Sequence, residues 1–546
     1  MNIEFMPIKK IKSYLLLLIS TVLVIGCNDS DTLQGNSVIP KVNAYTEHAS
    51  KGFDFNGELF IHLKNNEQPL LDMVALGAQQ IKSDNPQISN VSIINQAENT
   101  SSSSTIVLND FVSGFQEEEY QLEIGKDIIT ITAGTVKGAF NAFQTLRQLF
   151  ITNQDNGYLP QATIDDFPSY SYRGLMLDVS RHFFSVEQVK KIIDLMALYK
   201  LNKLHWHLTD DQGWRIEIDQ YPLLTDIGSY RPETILEKNF DPFIGDGTPH
   251  FGFYTKEEIR EVVQYAKQRN IDIIPEIDVP GHSSAILAAY PELGCTPGPY
   301  DVSTRWGIHA EILCPSEETF TFLTNVLTEL VDLFPYEYIH IGGDEVPTRH
   351  WQQNESVQLL MAEQGFTEEK QILGYFYNRL NQFLLERGRK AIGWDEILEV
   401  DITGQTNVMI WHEKELAKSA IEKGHHVILT PAKTNYLNYY QGNQNTEPLA
   451  QCCLITLESA YQSSMEIEGL NESEQQKILG GQASLWTEYI STNSHMEYML
   501  FPRLFALSEN FWTKPEHKNF QQFKDALPAH LSYLEAQQVN FKPIER

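Results

Sequence analysis

Two consecutive carboxylates, Asp344 and Glu345, follow a His-Ile-Gly-Gly run at 340–343, and other residues with chemical capacity recur at comparable places along the chain. Asp178 stands with Arg181 and His182, His207 with Asp210, Asp278 with His282, Trp394 with Asp395, Tyr436 with Asn438, and Trp486 with Glu488; Trp411 closes a run of its own. Carboxylates supply acid–base chemistry and accept hydrogen bonds from hydroxyls, while flat aromatic faces accept the apolar faces of sugar rings. A lone aspartate at a strand end more often caps the next helix than catalyses. Six strand ends sharing the same chemistry point instead to one site.

The elements that must position these residues are apolar runs ending in polar groups, at 174–180, 203–210, 272–278, 338–344, 391–395, 407–411, 426–430 and 479–488. The segments between them, for example 186–199, 256–269 and 318–334, carry apolar residues at helical spacing. Eight buried-type strands alternating with helices predict an α/β fold, a (β/α)8 barrel over 168–513. Its active site is then expected at the carboxyl ends of the strands. Ahead of the barrel, 40–167 reads as a small α+β domain with short strands at 58–63, 104–108 and 127–133. A helix at 136–150 there sets Ala139, Phe143, Leu146 and Phe150 on one face. Residues 514–546 read as a helical tail packed on the barrel.

Composition bounds the function. With 72 Asp plus Glu against 41 Lys plus Arg, the formal charge of the 546-residue chain is −31, a field that repels phosphate backbones and makes nucleic acid an unexpected partner. At the N-terminus, Lys9, Lys10 and Lys12 precede an apolar run at 14–26, too short to span a bilayer but suited to an export signal over 1–26. That run ends Val24-Ile25-Gly26-Cys27, similar to the lipobox of bacterial lipoproteins, in which the cysteine is acylated. The expectation is a protein exported and lipid-anchored through Cys27 to a bacterial membrane, facing periplasm or cell surface, with 27–39 as a polar tether. Of the remaining cysteines, Cys295 and Cys314 could close a short loop, and the adjacent Cys452 and Cys453 are unpaired or locally bridged. Neither pair has zinc-site spacing, so no structural metal is expected.

The motifs Ser180-Arg181-His182-Phe183, His205-Trp206-His207-Leu208-Thr209-Asp210, Pro275-Glu276-Ile277-Asp278-Val279-Pro280-Gly281-His282, His340-Ile341-Gly342-Gly343-Asp344-Glu345 and Gly393-Trp394-Asp395-Glu396 together resemble glycoside hydrolase family 20, the β-N-acetylhexosaminidases. The resemblance runs in order over most of 133–512. It implies an exo-acting enzyme that uses no protein nucleophile and no cofactor: the substrate's own 2-acetamido oxygen attacks C1 and forms an oxazolinium ion. In that pattern Glu345 is the general acid and later the base, with its pKa raised by burial near Asp344, and Asp344 accepts the acetamido N–H. Tyr436 donates to the acetamido oxygen, and Trp394, Trp411 and Trp486 wall its methyl group. Asp278 and His282 form a relay to the acid, while Arg173 and Glu488 bind the 3- and 4-hydroxyls and Asp210 joins the substrate-binding set. Independently of the resemblance, adjacent residues at a strand end point their side chains apart, which suits Asp344 and Glu345 to two different atoms rather than to one glycosidic bond.

One departure is Asn438, where many members carry an aspartate near the 6-hydroxyl. Two rival readings are a metal-dependent barrel hydrolase built on His182, His205, His207, His282 and His340, and a non-enzymatic surface lipoprotein that binds glycans through the same aromatics. The first lacks recognisable ligand spacing, and the second leaves the presence of Glu345 unexplained.

Overall fold

The computed structural model describes residues 37–64, 67–95, 104–403 and 406–544. The expected export signal over 1–26 and Cys27 lie outside the described residues. The described residues fall within one compact unit. Among the described residues no helix is long and apolar enough to cross a membrane.

The N-terminal layer is a mixed seven-stranded sheet in the order β1-β7-β5-β6-β4-β2-β3. Its strands are β1 (Ala44–Asp54), β2 (Gly57–Leu63), β3 (Ile88–Asn95), β4 (Thr105–Leu108), β5 (Tyr120–Ile124), β6 (Ile128–Ala133) and β7 (Tyr158–Asp166). Two helices cover it, α1 (Gln68–Asp84) and α2 (Val136–Thr152). The expected face of α2 is fully buried, but so is nearly everything else from Gly138 to Ile151. A helix buried on all sides lies between two layers rather than at a surface, and α2 also contacts the first barrel helix, Val186–Leu198, and the C-terminal helix, Phe520–Ala536. The tail therefore packs on both domains: Tyr533 donates to Asp84 of α1 at 3.0 Å, and His530 Nδ1 meets the Tyr199 hydroxyl at 3.1 Å.

The barrel closes from β8 (Tyr172–Asp178), β9 (Lys203–His207), β10 (Asp272–Glu276), β11 (Tyr338–His340), β12 (Lys390–Trp394), β13 (Thr406–Ile410), β14 (His426–Leu429) and β15 (Ile478–Leu485), all parallel, with β15 pairing β8. The helices between them start where side chains satisfy the free N–H groups of the first turn. Ser185 caps Val186–Leu198, Thr255 and Glu258 form a capping box on Lys256–Gln268, and Ser316 caps Glu317–Leu333. The strands end earlier than the apolar runs suggest. β11 stops at His340, so Asp344 and Glu345 stand on a loop and not at a strand end.

A buried polar seam joins the two domains. Asp166 accepts from Lys200 Nζ at 2.8 Å, from the Tyr120 hydroxyl at 2.6 Å and from Trp512 Nε1 at 3.0 Å, and the Lys200 and Asp166 side chains are both fully buried. Arg173 belongs to the same seam. Its guanidinium pairs with Glu118 at 2.6 Å and donates to the backbone oxygens of Tyr170 and Lys200, each at 2.8 Å. As the second residue of β8 it lies at the amino end of the barrel, opposite the catalytic face, so its expected role on sugar hydroxyls is corrected to a tie between domains.

Candidate active site

The carboxyl ends of the strands converge on a cavity of about 280 Å³ lined by Arg181, His282, Trp306, Asp344, Glu345, Trp394, Trp411, Tyr436, Asn438, Trp486 and Glu488, with Gly307, Ile308, Tyr439 and Gln451 at its rim. Of the residues expected to act here, Arg173, Asp210 and Asp278 do not line it. Arg181, eight residues after Arg173, takes the place beside Glu488.

The loop after β11 shapes the centre of the pocket. Gly342 and Gly343 adopt φ of 68° and 100°, and Glu345 follows at φ 51°. Only glycine fits at 342, because a Cβ there would lie 1.7 Å from Asp278 Oδ1. The turn leaves Asp344 deep, with its side chain 12% exposed, and Glu345 nearer the mouth at 34%. The two carboxylates thus serve different depths, although the loop rather than a strand pleat separates them. Glu345 is correspondingly less buried than the resemblance led us to expect.

Asp344 Oδ1 is buried with no hydrogen-bond partner, an acceptor held ready for a donor. Burial first, and then the neighbouring Asp278 carboxyl, raise the Asp344 pKa well above the usual carboxylate range. Around it the aromatic wall is pinned by carboxylates. Trp394 Nε1 donates to Glu276 at 2.9 Å and Trp411 Nε1 donates to Glu396 at 3.2 Å, while Tyr436 stacks over Trp411 at 6.2 Å and an interplanar angle of 18°. Asp395 fixes the same wall from behind, accepting from the backbone N–H of Trp411 and His412 at 3.1 and 3.0 Å. Glu396 stands in the Gly393-Trp394-Asp395-Glu396 motif without an expected role in the site; burial and then Asp344 push its pKa up to about 9.

At the opposite wall Arg181 donates to Asp210 at 2.6 Å, to Asp178 at 3.3 Å and through Nε to Gln212 at 2.9 Å, and its guanidinium lies 4.9 Å from the Trp486 ring centroid. Asp178 also accepts from Thr487 N at 3.0 Å, which holds the segment carrying Trp486 and Glu488 against the start of the barrel. Glu488 Oε2 and Asn438 Oδ1 are buried acceptors without partners. Burial raises the Glu488 pKa to about 7 against the opposing pull of Arg181. Asp210 does not face the pocket; it orients Arg181, so its expected substrate contact is corrected to a positioning role.

The relay to the acid is also redrawn. His282 Nε2 faces Glu345 at 3.5 Å and Asp344 at 3.8 Å, while Nδ1 points to Asp211 at 3.0 Å and Asp210 at 3.4 Å. Asp278 lies close by, but neither of its oxygens has a hydrogen-bond partner. The turn across Pro280-Gly281 does bring Asp278 near His282, whose backbone φ is 45°, yet the imidazole directs Nδ1 to Asp211 on the loop after β9. Burial opposes charge on His282, but Asp210 and Asp211 outweigh it and raise the ring pKa well above its ordinary value. Asp211 was detectable only as the neighbour of Asp210.

Histidines and carboxylates do gather beneath the pocket, including His205 with Glu276 and His340, and His207 with Asp210 and Asp278. Part of this set is internally paired: His207 bridges Glu276 through Nδ1 and Asp210 through Nε2 at 3.0 Å, and His340 Nδ1 lies 2.9 Å from Glu276, while His340 Nε2 and both Asp278 oxygens are buried without hydrogen-bond partners. The expected disulfide between Cys295 and Cys314 is formed, closing the loop that carries Trp306, Gly307 and Ile308 to the rim.

Sequence profiles described as "Glycosyl hydrolase family 20, catalytic domain" and "Glycosyl hydrolase family 20, domain 2" match residues 170–515 and 36–167. A Porphyromonas gingivalis protein named Beta-hexosaminidase is 39% identical over 435 residues, covering 78% of this chain and 55% of that protein. An Akkermansia muciniphila protein of the same name is 34% identical over 439 residues, covering 78% and 85%. Among solved structures, a Vibrio harveyi family 20 exo-β-N-acetylglucosaminidase in complex with N-acetylglucosamine superposes with a TM-score of 0.81 at 31% identity, over 93% of this chain and 78% of that one. A Bacteroides fragilis β-N-acetylhexosaminidase gives 0.79 at 29% identity, over 93% and 97%.

Proposed function

The chain belongs to glycosyl hydrolase family 20, and from that premise we propose that it is an exo-acting β-N-acetylhexosaminidase. It releases terminal non-reducing β-linked N-acetylglucosamine or N-acetylgalactosamine by substrate-assisted, retaining hydrolysis. The observation that carries this reading is the pairing of a deep, unpartnered Asp344 oxygen with an aromatic enclosure of Trp394, Trp411, Tyr436 and Trp486. An acetamido group supplies what that enclosure lacks: an N–H for Asp344, a methyl group for the indole faces and an oxygen for the Tyr436 hydroxyl.

With the acetamido group so held, its carbonyl oxygen is directed at C1, and attack forms the C1–O bond of an oxazolinium ion as the glycosidic bond breaks. Glu345, at the mouth, hands its proton to the departing oxygen. Asp344 stabilises the positive charge that develops on the ring, and that charge in turn favours its ionised form. Water, deprotonated by Glu345, then opens the oxazolinium with net retention. Arg181 and Glu488 close the far wall around the ring hydroxyls, which supports exo rather than endo cleavage.

Glu345→Gln is expected to slow substrates with poor leaving groups far more than activated aryl glycosides, which need little protonation. A thiazoline mimic of the intermediate should inhibit tightly. A covalent adduct trapped on Asp344 or Glu345 by a 2-fluoro glycoside would instead establish a protein nucleophile and overturn the mechanism.

We also propose that the protein is exported and held at a bacterial membrane through an acylated Cys27, on the strength of the apolar run and the Val24-Ile25-Gly26-Cys27 sequence. Wild-type protein should fractionate with membranes and Cys27→Ser should alter its processing. A soluble wild type with an unmodified N-terminus would refute the anchor.

A further inference from the structure

Cys452 and Cys453 are both exposed, and their sulfurs lie 2.6 Å apart, roughly 0.6 Å beyond a bonded S–S pair. The backbone fixes them there from both sides. Gln451 N donates to Asn438 O at 3.1 Å, and beyond the pair Leu454 bridges Tyr440 while Ile455 N donates to Tyr440 O at 2.9 Å. Between these two pins Cys453 takes φ 55°.

The same turn forms part of the pocket rim. Gln451 and Tyr439 both line the cavity, the Cys452 thiol lies near enough to Tyr439 to act on its hydroxyl electrostatically, and Lys238 Nζ donates to Gln451 O at 2.5 Å. We propose that Cys452 and Cys453 are a covalent modification site: they close a disulfide with each other, and the closed form braces Tyr439 and Gln451 against the bound sugar.

A small-molecule disulfide of the glutathione class supplies the oxidising equivalents. Burial, and then the neighbouring Cys453 thiol, push the Cys452 thiol pKa up to about 11, which disfavours Cys452 as the first nucleophile, and Cys453 gives up its proton and attacks first. It attacks one sulfur of the small molecule, breaks that S–S bond and expels one thiolate. Cys452 then gives up its proton and attacks the Cys453 sulfur, forming the Cys452–Cys453 bond and expelling the second thiolate. Two thiol protons and two electrons leave the protein, and one small-molecule disulfide becomes two thiols.

The bond itself is independent of the proposed activity; its effect on affinity rests on that reading. Full-length protein is incubated with oxidised glutathione or with a phosphine reductant, alkylated with iodoacetamide and digested. From oxidised protein the fragment bearing 452–453 should be unalkylated and lighter by two hydrogens; from reduced protein it should be doubly alkylated. A Cys452→Ser, Cys453→Ser double variant kept under the oxidising treatment, so that Cys295–Cys314 stays closed, should show a KM for an aryl N-acetylglucosaminide about five-fold above that of oxidised wild type, the loss of roughly one hydrogen bond's worth of rim order, with kcat unchanged. A doubly alkylated fragment after oxidation refutes the disulfide. Equal KM in oxidised wild type and the double variant refutes the brace. If the protein turns over no such substrate, the activity fails while the fragment mass still decides the bond, and N-acetylglucosamine binding then decides the brace.

Discussion

Asp211→Asn separates the relay seen in the structure from the one implied by sequence motifs. The Asp211 carboxylate lies 3.0 Å from His282 Nδ1, which at an effective dielectric of about 20 is worth about 5–6 kcal/mol of gross attraction to a protonated ring. Most of this survives the substitution, because Asp210 at 3.4 Å supplies a similar field. What is lost is one charge-assisted hydrogen bond, about 1.5–3 kcal/mol, so kcat should fall about 10- to 150-fold. Since His282 acts through Glu345, the loss should be greatest for oligosaccharides with poor leaving groups and small for activated aryl glycosides. Asp278→Asn, by contrast, removes no hydrogen bond to His282 and should leave kcat within a few-fold of wild type. The assay is kcat over a series of aglycones for both variants. If Asp278→Asn shows the larger, leaving-group-dependent loss, Asp278 is the true partner of His282 and the reasoning from ring orientation is refuted.

Other expectations follow from the same geometry. Arg173→Gln leaves Glu118 buried without its cation and should destabilise the fold by about 3–5 kcal/mol in urea titration with KM unchanged, whereas Arg181→Gln should raise KM; a KM defect confined to Arg173→Gln would reverse the assignment. Asp344, raised well above the usual carboxylate range by burial and then by Asp278, loses its capacity to accept the acetamido N–H as pH falls through that raised pKa. The acid limb of kcat/KM should therefore move to lower pH in Asp278→Asn, where one source of like charge is gone, and a pH profile with an unmoved limb counts against the coupling. Asn438→Asp places a carboxylate among buried, unpartnered acceptors and should discriminate against 6-sulfated N-acetylglucosaminides by about 1 kcal/mol or more, read as the sulfated-to-unsulfated ratio of kcat/KM.

The barrel was legible because parallel strands buried on both faces read as apolar runs, and helix starts such as Ser185, Thr255 and Ser316 carry their own capping chemistry. Most of the pocket was legible for the same reason: its walls follow strand ends. The errors have physical causes. Arg173 and Arg181 flank one strand, and which of them faces substrate depends on the direction the chain runs through the barrel; strand polarity places Arg173 at the closed end. Asp278 stands at the sequence spacing from His282 that a relay needs, but spacing does not fix ring orientation, and the imidazole directs Nδ1 to Asp211 and Asp210 instead. Trp306, Ile308 and Gln451 come from irregular loops with no period to read, held by a disulfide and a few backbone hydrogen bonds.

The charge beneath the pocket explains why so acidic a protein can keep its catalytic groups in place. Glu276 accepts from Trp394 and His207, His207 hands on to Asp210, and Asp210 holds Arg181 and faces His282. Burial opposes charge on His207, yet Glu276 and Asp210 raise its pKa well above the ordinary value, so the ring stays cationic between two anions. Such a buried chain adds little to stability, since desolvation offsets most of the attraction. What it does is fix three surfaces from one set of contacts: the indole wall, the guanidinium at the hydroxyl end and the imidazole beside Glu345. An apolar replacement at Glu276 could pack as well and still release all three, which locates the reason for these charges in the geometry of the site rather than in the stability of the barrel.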